Sequence, residues 1–141
     1  MRLSRKSEYA CLAMIDLAEH SGGPHVKIRE IAERQGIPRE FLVQILLRLK
    51  SAGYVRSARG AAGGYQLAKE PEAISVAEVV RLLDGPLAPV VSASKFFYQG
   101  TPVEKHPNLL RVFREIRDYA SRRLEATSFA DLARKPRQQS S

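Results

Sequence analysis

At 141 residues, 44% of them hydrophobic, the chain can bury one modest core with an appended helix or two, which leaves no room for a second, catalytic domain. Its 23 Lys+Arg against 15 Asp+Glu give a formal net charge of +8, which suits a polyanionic partner, although a merely basic soluble protein has the same balance. The single cysteine, Cys11, rules out an internal disulfide and fits a reducing cytoplasm; no apolar run approaches the roughly 20 residues of a membrane span, and the start lacks a signal-peptide core.

In chain order, Ser4 to Glu8 opens the first helix, and Ala10, Ala13, Met14, Leu17 and Ala18 continue it as a core stripe at helical spacing. The basic start, Arg2, Arg5 and Lys6, sits near a helix N-terminus, where free backbone N–H groups can donate to a phosphate; a solvated basic end is the plainer reading. Cys11 has no second thiol nearby and reads as packed rather than sensing. Ser21-Gly22-Gly23-Pro24 is a loop, and the flanking His20 and His25 lack the spacing that aims two imidazoles at one metal. Lys27 precedes the next helix.

That helix places Ile28, Ile31 and Ala32 on one stripe and leaves Arg29, Glu30, Glu33 and Arg34 for water. Gly36 supplies a left-handed stop, and Pro38 suits the first turn of a following helix, so two helices cross steeply at Gly36-Ile37-Pro38. In the second helix Leu42, Ile45, Leu46 and Leu49 form the buried stripe, leaving Arg39, Glu40, Val43, Gln44, Leu47 and Arg48 on the other faces. Glutamine suits adenine and arginine suits guanine or phosphate when a helix enters the major groove. Tyr54-Val55 and Tyr65-Gln66-Leu67 then read as strands about a tip containing Arg59, Gly60, Gly63 and Gly64. Such a tip lies close to a sugar-phosphate backbone and lets an arginine enter the minor groove; it is equally the composition of a simple turn. Helix, turn, helix, hairpin also occurs in proteins with no nucleic-acid role.

Ser75 to Glu78 is a capping box, and the helix it starts buries Val76, Val79, Val80 and Leu83 before Gly85-Pro86. Pro86 to Pro107 looks irregular, with Phe96-Phe97-Tyr98 suited either to lining a small-molecule pocket or to packing on a second subunit. Thr101 to Glu104 is a helix start that Pro107 interrupts. A long helix then carries Leu109, Val112, Phe113, Ile116, Ala120 and Leu124 along one face, more apolar surface than a small domain covers, for which a two-fold partner is the usual solution. Ser128 to Asp131 caps a final short helix, and the tail from Lys135 is expected to be disordered.

The opening MRLSRKSEYACLAMIDLAEH, the segment IAERQGI, and above all VRSARGAAGGYQLAK followed by SVAEVVRLLDGPL resemble the Rrf2 family of bacterial winged-helix transcription regulators. The likeness is close over residues 1 to 87 and looser to about 134, and the Arg59 to Tyr65 run, RGxxGGY, is its most specific element. It implies a mainly α fold with a small β-hairpin, a winged helix-turn-helix domain with a long C-terminal dimerisation helix. The expected division is residues 1–85 for DNA binding, 86–107 as an irregular linker or sensing loop, 108–134 for dimerisation and 135–141 as the tail. It also implies that the start of the first helix lies beside the DNA backbone, and that Gln44 and Arg59 occupy positions used on DNA. Val43 departs from members with an acidic residue there. Members that sense oxidants or iron-sulfur status carry three cysteines where this chain has Ser92, Ala93 and Ser94. One cysteine cannot supply the thiolates of a conventional cluster, so no cofactor is expected.

The resulting expectation is a cytoplasmic, nucleoid-associated homodimer on double-stranded DNA with a near-palindromic operator. Gln44 would read bases, and Arg48, Lys50, Arg2 and Arg5 would hold phosphates. Arg59, Gly60 and Tyr65 would act at the wing, with Pro38, Arg39, Glu40 and Phe41 at the start of the recognition helix. A small-molecule or protein effector would modulate it. The alternative is a winged-helix interaction module whose DNA binding a partner protein controls. No nucleophile–base pairing, carboxylate pair or phosphate-binding loop can be assembled, so an enzyme is not expected.

Overall fold

The Ser4 hydroxyl accepts the Ser7 amide hydrogen at 3.1 Å and so starts α1 (Arg5–Glu19), the helix on which the others are laid. The computed structural model describes residues 3–87 and 102–133. Arg2, the segment with Ser92 to Ser94 and Phe96-Phe97-Tyr98, and the tail from Lys135 lie outside the described residues. Ala10 and Ala13, both fully buried, keep one side of α1 thin, and α3 (Arg39–Ser51), α4 (Val76–Asp84) and α6 (Phe129–Ala133) pack against α1. Their contributions to the shared core are Leu42, Leu46 and Leu49, then Val79 and Val80, then Phe129.

α2 (Ile28–Gln35) ends at Gly36, whose φ of 66° is the left-handed stop expected there. Pro38 stands just outside α3 as its cap residue. Beyond α3, β1 (Val55–Ala58) and β2 (Gly64–Leu67) form a two-stranded antiparallel hairpin with Val55 opposite Leu67 and Ala58 opposite Gly64. β1 therefore starts after Tyr54, not with it, because the Tyr54 amide is spent on the Leu49 carbonyl at the end of α3. Val26 pairs with the outer edge of β2 near its turn end, where Val26 and Tyr65 exchange backbone hydrogen bonds of 2.8 and 2.7 Å. The capping box forms as the sequence implies, with the Ser75 amide donating to Glu78 at 2.7 Å and the Glu78 amide to Ser75 at 3.2 Å.

After a 3-10 turn at Pro102–Lys105, α5 (Pro107–Glu125) runs 19 residues with Leu110 turned inward. Leu109, Val112, Ile116 and Tyr119 are 44, 48, 46 and 65% exposed along one side. Phe113 and Ala120 are half-buried, and Leu124 packs on its own chain's core. The stripe read from the sequence therefore divides, its last member serving the core and its middle facing outward. The chain then returns: Val76 donates to the Thr127 carbonyl at 2.9 Å, Phe129 donates to the Ile74 carbonyl at 3.0 Å, and the Phe129 ring enters the winged-domain core. Periodicity showed a final short helix but not that it packs beneath α1.

Asp16 was not singled out by the apolar pattern, yet it is completely buried on α1. Arg34, expected in water, donates to its carboxylate at 3.0 and 2.9 Å, and Gln35 adds a third bond at 3.0 Å. Burial pushes the carboxyl up, but the bonds from Arg34 and Gln35 and the charges of Arg34 and His20 outweigh it and hold the pKa below the usual value. A carboxyl depressed on folding stabilises fully above its unfolded pKa, about 3.9, and loses that contribution as pH falls through the folded value. Asp16→Asn is expected to lower stability by about 1–2 kcal/mol at neutral pH, since Arg34 is partly screened by solvent. Urea unfolding at pH 7 and pH 3 checks this, with the gap between variant and parent narrowing in acid.

Candidate nucleic-acid interface

Three elements present cations and glycines on one side of the molecule. α3 supplies the outward face, the hairpin supplies the tip, and the N-terminal end of α2 lies between them. Pro38, Arg39, Glu40, Phe41, Gln44, Arg48 and Lys50 are all exposed, as residues on the faces left over from the Leu42, Ile45, Leu46 and Leu49 stripe must be. The Phe41 ring meets Tyr9 of α1 at 6.1 Å between centroids, tilted by 50°, which fixes the start of α3 against α1.

Arg59 and Gly60 are exposed at the tip, with Gly60 at φ 99°. Tyr65 is different. It is half-buried against the core, and its backbone binds Val26, so it anchors the wing to the strand before α2. A Cβ on Gly64 would overlap the Val26 carbonyl, and one on Gly63 would overlap the Ala58 carbonyl, which is why the run needs two glycines there. Between wing base and helices lies a groove of about 540 Å³, lined among others by Lys27, Arg29, Arg39 and Arg59. Lys27 Nζ also donates to the Ala61 carbonyl at 2.7 Å, holding the wing tip toward α2.

Lys27 and Arg29 are the residues that sequence reasoning missed. Arg29 was left to solvent by its helical position, and only the Val26–Tyr65 pairing, a contact between segments about forty residues apart, brings it beside the wing. Arg48 is also placed unexpectedly: its guanidinium donates to the Leu82 carbonyl at 2.7 Å, near the end of α4. At the start of α1, Arg5 is exposed, but the Ser4 amide donates to the Asp84 carboxylate at 2.9 Å, and the Ser4 hydroxyl bonds the same carboxylate. That end of the helix is therefore occupied by a carboxylate of its own chain, and burial, which raises the Asp84 pKa, is outweighed by the Ser4 bonds that lower it.

A three-element face of this kind, with a helix-turn-helix and a glycine-tipped hairpin beside it, defines a winged-helix DNA-binding protein. The family model for Rrf2, described as iron-dependent transcriptional regulators, matches residues 3–135, and the chain belongs to that family. A Mycobacterium tuberculosis protein, Rv1287, named as an HTH-type transcriptional regulator, is 43% identical over 135 residues, covering 94% of this chain and 81% of the relative. The Bacillus subtilis regulator CymR is 33% identical over 133 residues. The structure of B. subtilis CymR, described as the global cysteine regulator, superposes with a TM-score of 0.75 at 32% identity over 94% of this chain and 96% of that one. T. potens IscR superposes at 0.74 with 36% identity, over 94% and 85%. The chain is accordingly a DNA-binding transcriptional regulator of the winged-helix type and not an enzyme.

The iron in the family description finds no fitting donor set for an iron-sulfur cluster here. The sequence holds one cysteine, and Cys11 is packed in α1 with its thiol pushed up to about 11, first by burial and then by the Asp84 charge. Among the described residues no group of three or more His, Cys, Asp or Glu side chains could hold a metal. No helix among them is long and apolar enough to cross a membrane.

Because Gly64 closes directly on the Val26 carbonyl, Gly64→Val is expected to strain the wing by about 1–3 kcal/mol and displace Arg59. DNA affinity measured by fluorescence anisotropy should fall while the helical circular dichroism signal stays intact.

Proposed function

We propose that the chain acts as a homodimer that places two α3 helices in successive major grooves of a near-palindromic operator and two wings in the flanking minor grooves. The observation that carries this reading is that α3 exposes Gln44 while Arg39, at the start of the same helix, joins Lys27, Arg29 and Arg59 in lining a groove against the wing. A helix able to hydrogen-bond base edges, bordered by cations, is what a duplex requires: neutralised phosphates set register and base edges set sequence. Arg5 and Lys50 are further exposed cations that hold phosphates in this reading, Arg59 and Gly60 reach the minor groove, and Tyr65 holds them there. Arg2, outside the described residues, is kept in this reading as a phosphate contact.

The dimer is supported by α5. Leu109, Val112, Ile116 and Tyr119 are large, apolar and exposed together, and a second copy of the same stripe covers them with least change to the monomer. The segment 86–107 joins the DNA-binding elements to α5 in chain order, so a small-molecule or protein effector acting there would reach both. In this reading residues 1–85 bind DNA and 108–134 dimerise, with Phe129 shared by the core. The protein works in the cytoplasm on the nucleoid.

Sedimentation equilibrium is expected to give a dimer for the parent chain and a folded monomer for Val112→Glu/Ile116→Glu. Anisotropy titrations across salt should show log affinity falling linearly with log salt. Replacing one phosphate-gripping cation such as Arg39 by alanine should reduce the slope by about 0.9 per contact, hence about 1.8 per dimer. A monomeric parent chain, or a duplex affinity that ignores salt, contradicts the reading.

A further inference from the structure

On one flank of Gln44 the outward face of α3 carries apolar side chains. Leu47, one turn further on, is 48% exposed, and Val43 is half-buried beside it. Gln44, Leu47, Arg48 and Ser51 line one shallow groove together with Ala52 and Leu82. Leu47 stands exposed among polar side chains, so a docked partner that offers it an apolar group gains by covering it. Arg48, one turn from Gln44 on the other side of the same groove, is bonded to the Leu82 carbonyl, at the C-terminal end of α4 where the helix dipole favours a cation. One nitrogen of the Arg48 guanidinium is spent on that carbonyl, which draws the side chain toward α4 and leaves Gln44 the polar group of this face best placed for a base edge.

The two remaining chemistries match the two halves of one base pair. Glutamine binds adenine through its N6 and N7 edge, and an apolar side chain packs on the C5 methyl of thymine, both in the major groove. We propose that α3 reads A·T pairs, Gln44 through adenine and Leu47 with Val43 through thymine methyl groups, while Arg48 is a positioning residue that ties α3 to α4. This rests on the placement of α3 in the major groove argued above. The occupant is duplex DNA because Leu47 lines one groove with Gln44 on α3, in a chain of a DNA-binding regulator family whose exposed glutamine is the base reader in the reading above.

The test begins by selecting duplexes from a random-sequence library with the full chain, then replacing each thymine of the best duplex by deoxyuridine, which removes only the methyl group. Affinity is expected to fall roughly fourfold at one or more thymines in each half-site, the loss for one buried methyl. Leu47→Ala should abolish that sensitivity, Leu47→Met should keep it, and Arg48→Ala should leave the salt slope unaltered. Tolerance of deoxyuridine at every position overturns the proposal, as does undiminished sensitivity in Leu47→Ala. Guanine-centred half-sites combined with a reduced salt slope in Arg48→Ala overturn it as well. Retention of duplexes without methyl dependence sinks only this proposal, whereas failure to retain any duplex sinks the DNA-reading geometry beneath it.

Discussion

A buried carboxylate fixes the geometry on which DNA recognition depends. α2 is eight residues long and fully buries only Ile31, too little for a helix of that length to hold its own direction. Asp16, at 0% exposure on α1, takes three hydrogen bonds from Arg34 and Gln35 and so clamps the C-terminal end of α2 to α1. The left-handed Gly36 follows immediately, and α3 leaves at an angle set by that fixed point. Leaving the carboxylate unpaired in the core would be costlier than the partly exposed Arg34 alone suggests, so the clamp acts as a constraint on direction more than as a store of stability.

From there the interface is assembled by short tertiary contacts rather than by any one helix. Val26 pairs with Tyr65, Lys27 holds the Ala61 carbonyl, and two glycines let the wing backbone close on its neighbours. On the opposite flank the last turn of α4 gathers three elements: Leu82 receives Arg48 from α3, Asp84 receives Ser4 at the head of α1, and Arg81 bonds Glu125 of α5 at 2.5 Å. The head of α1, the end of α3 and the long α5 therefore meet at the last turn of α4. These surface bonds are individually weak, and together they set register.

Much of the fold was legible because its signals are local. Ser75 and Glu78 announce a helix start, Gly36 a stop, and the Leu42 to Leu49 spacing a buried stripe; each depends on residues within one or two turns. What escaped were contacts between distant segments. Nothing in the spacing of α1 marks Asp16 as buried, since an aspartate on a helix is ordinarily solvated, and its partners lie 18 and 19 residues away. Arg34, Arg29 and Arg48 looked equally available to solvent or phosphate, and only the packed structure separates a clamp, a groove cation and a helix tie. The family likeness pointed to Gln44 and Arg59, both of which the fold leaves exposed, while the place of Lys27 beside the wing required the hairpin to be seen folded against α2.

The central claim is geometric: two recognition helices and two wings, related by a two-fold axis, meet one duplex. Hydroxyl-radical footprinting of the full chain on a selected duplex tests it most directly. The expected result is a protected pattern symmetric about the duplex centre, with two major-groove half-sites separated by about one helical turn or a small multiple of it and minor-groove protection outside each. A single asymmetric patch, or even protection along the whole duplex, contradicts it.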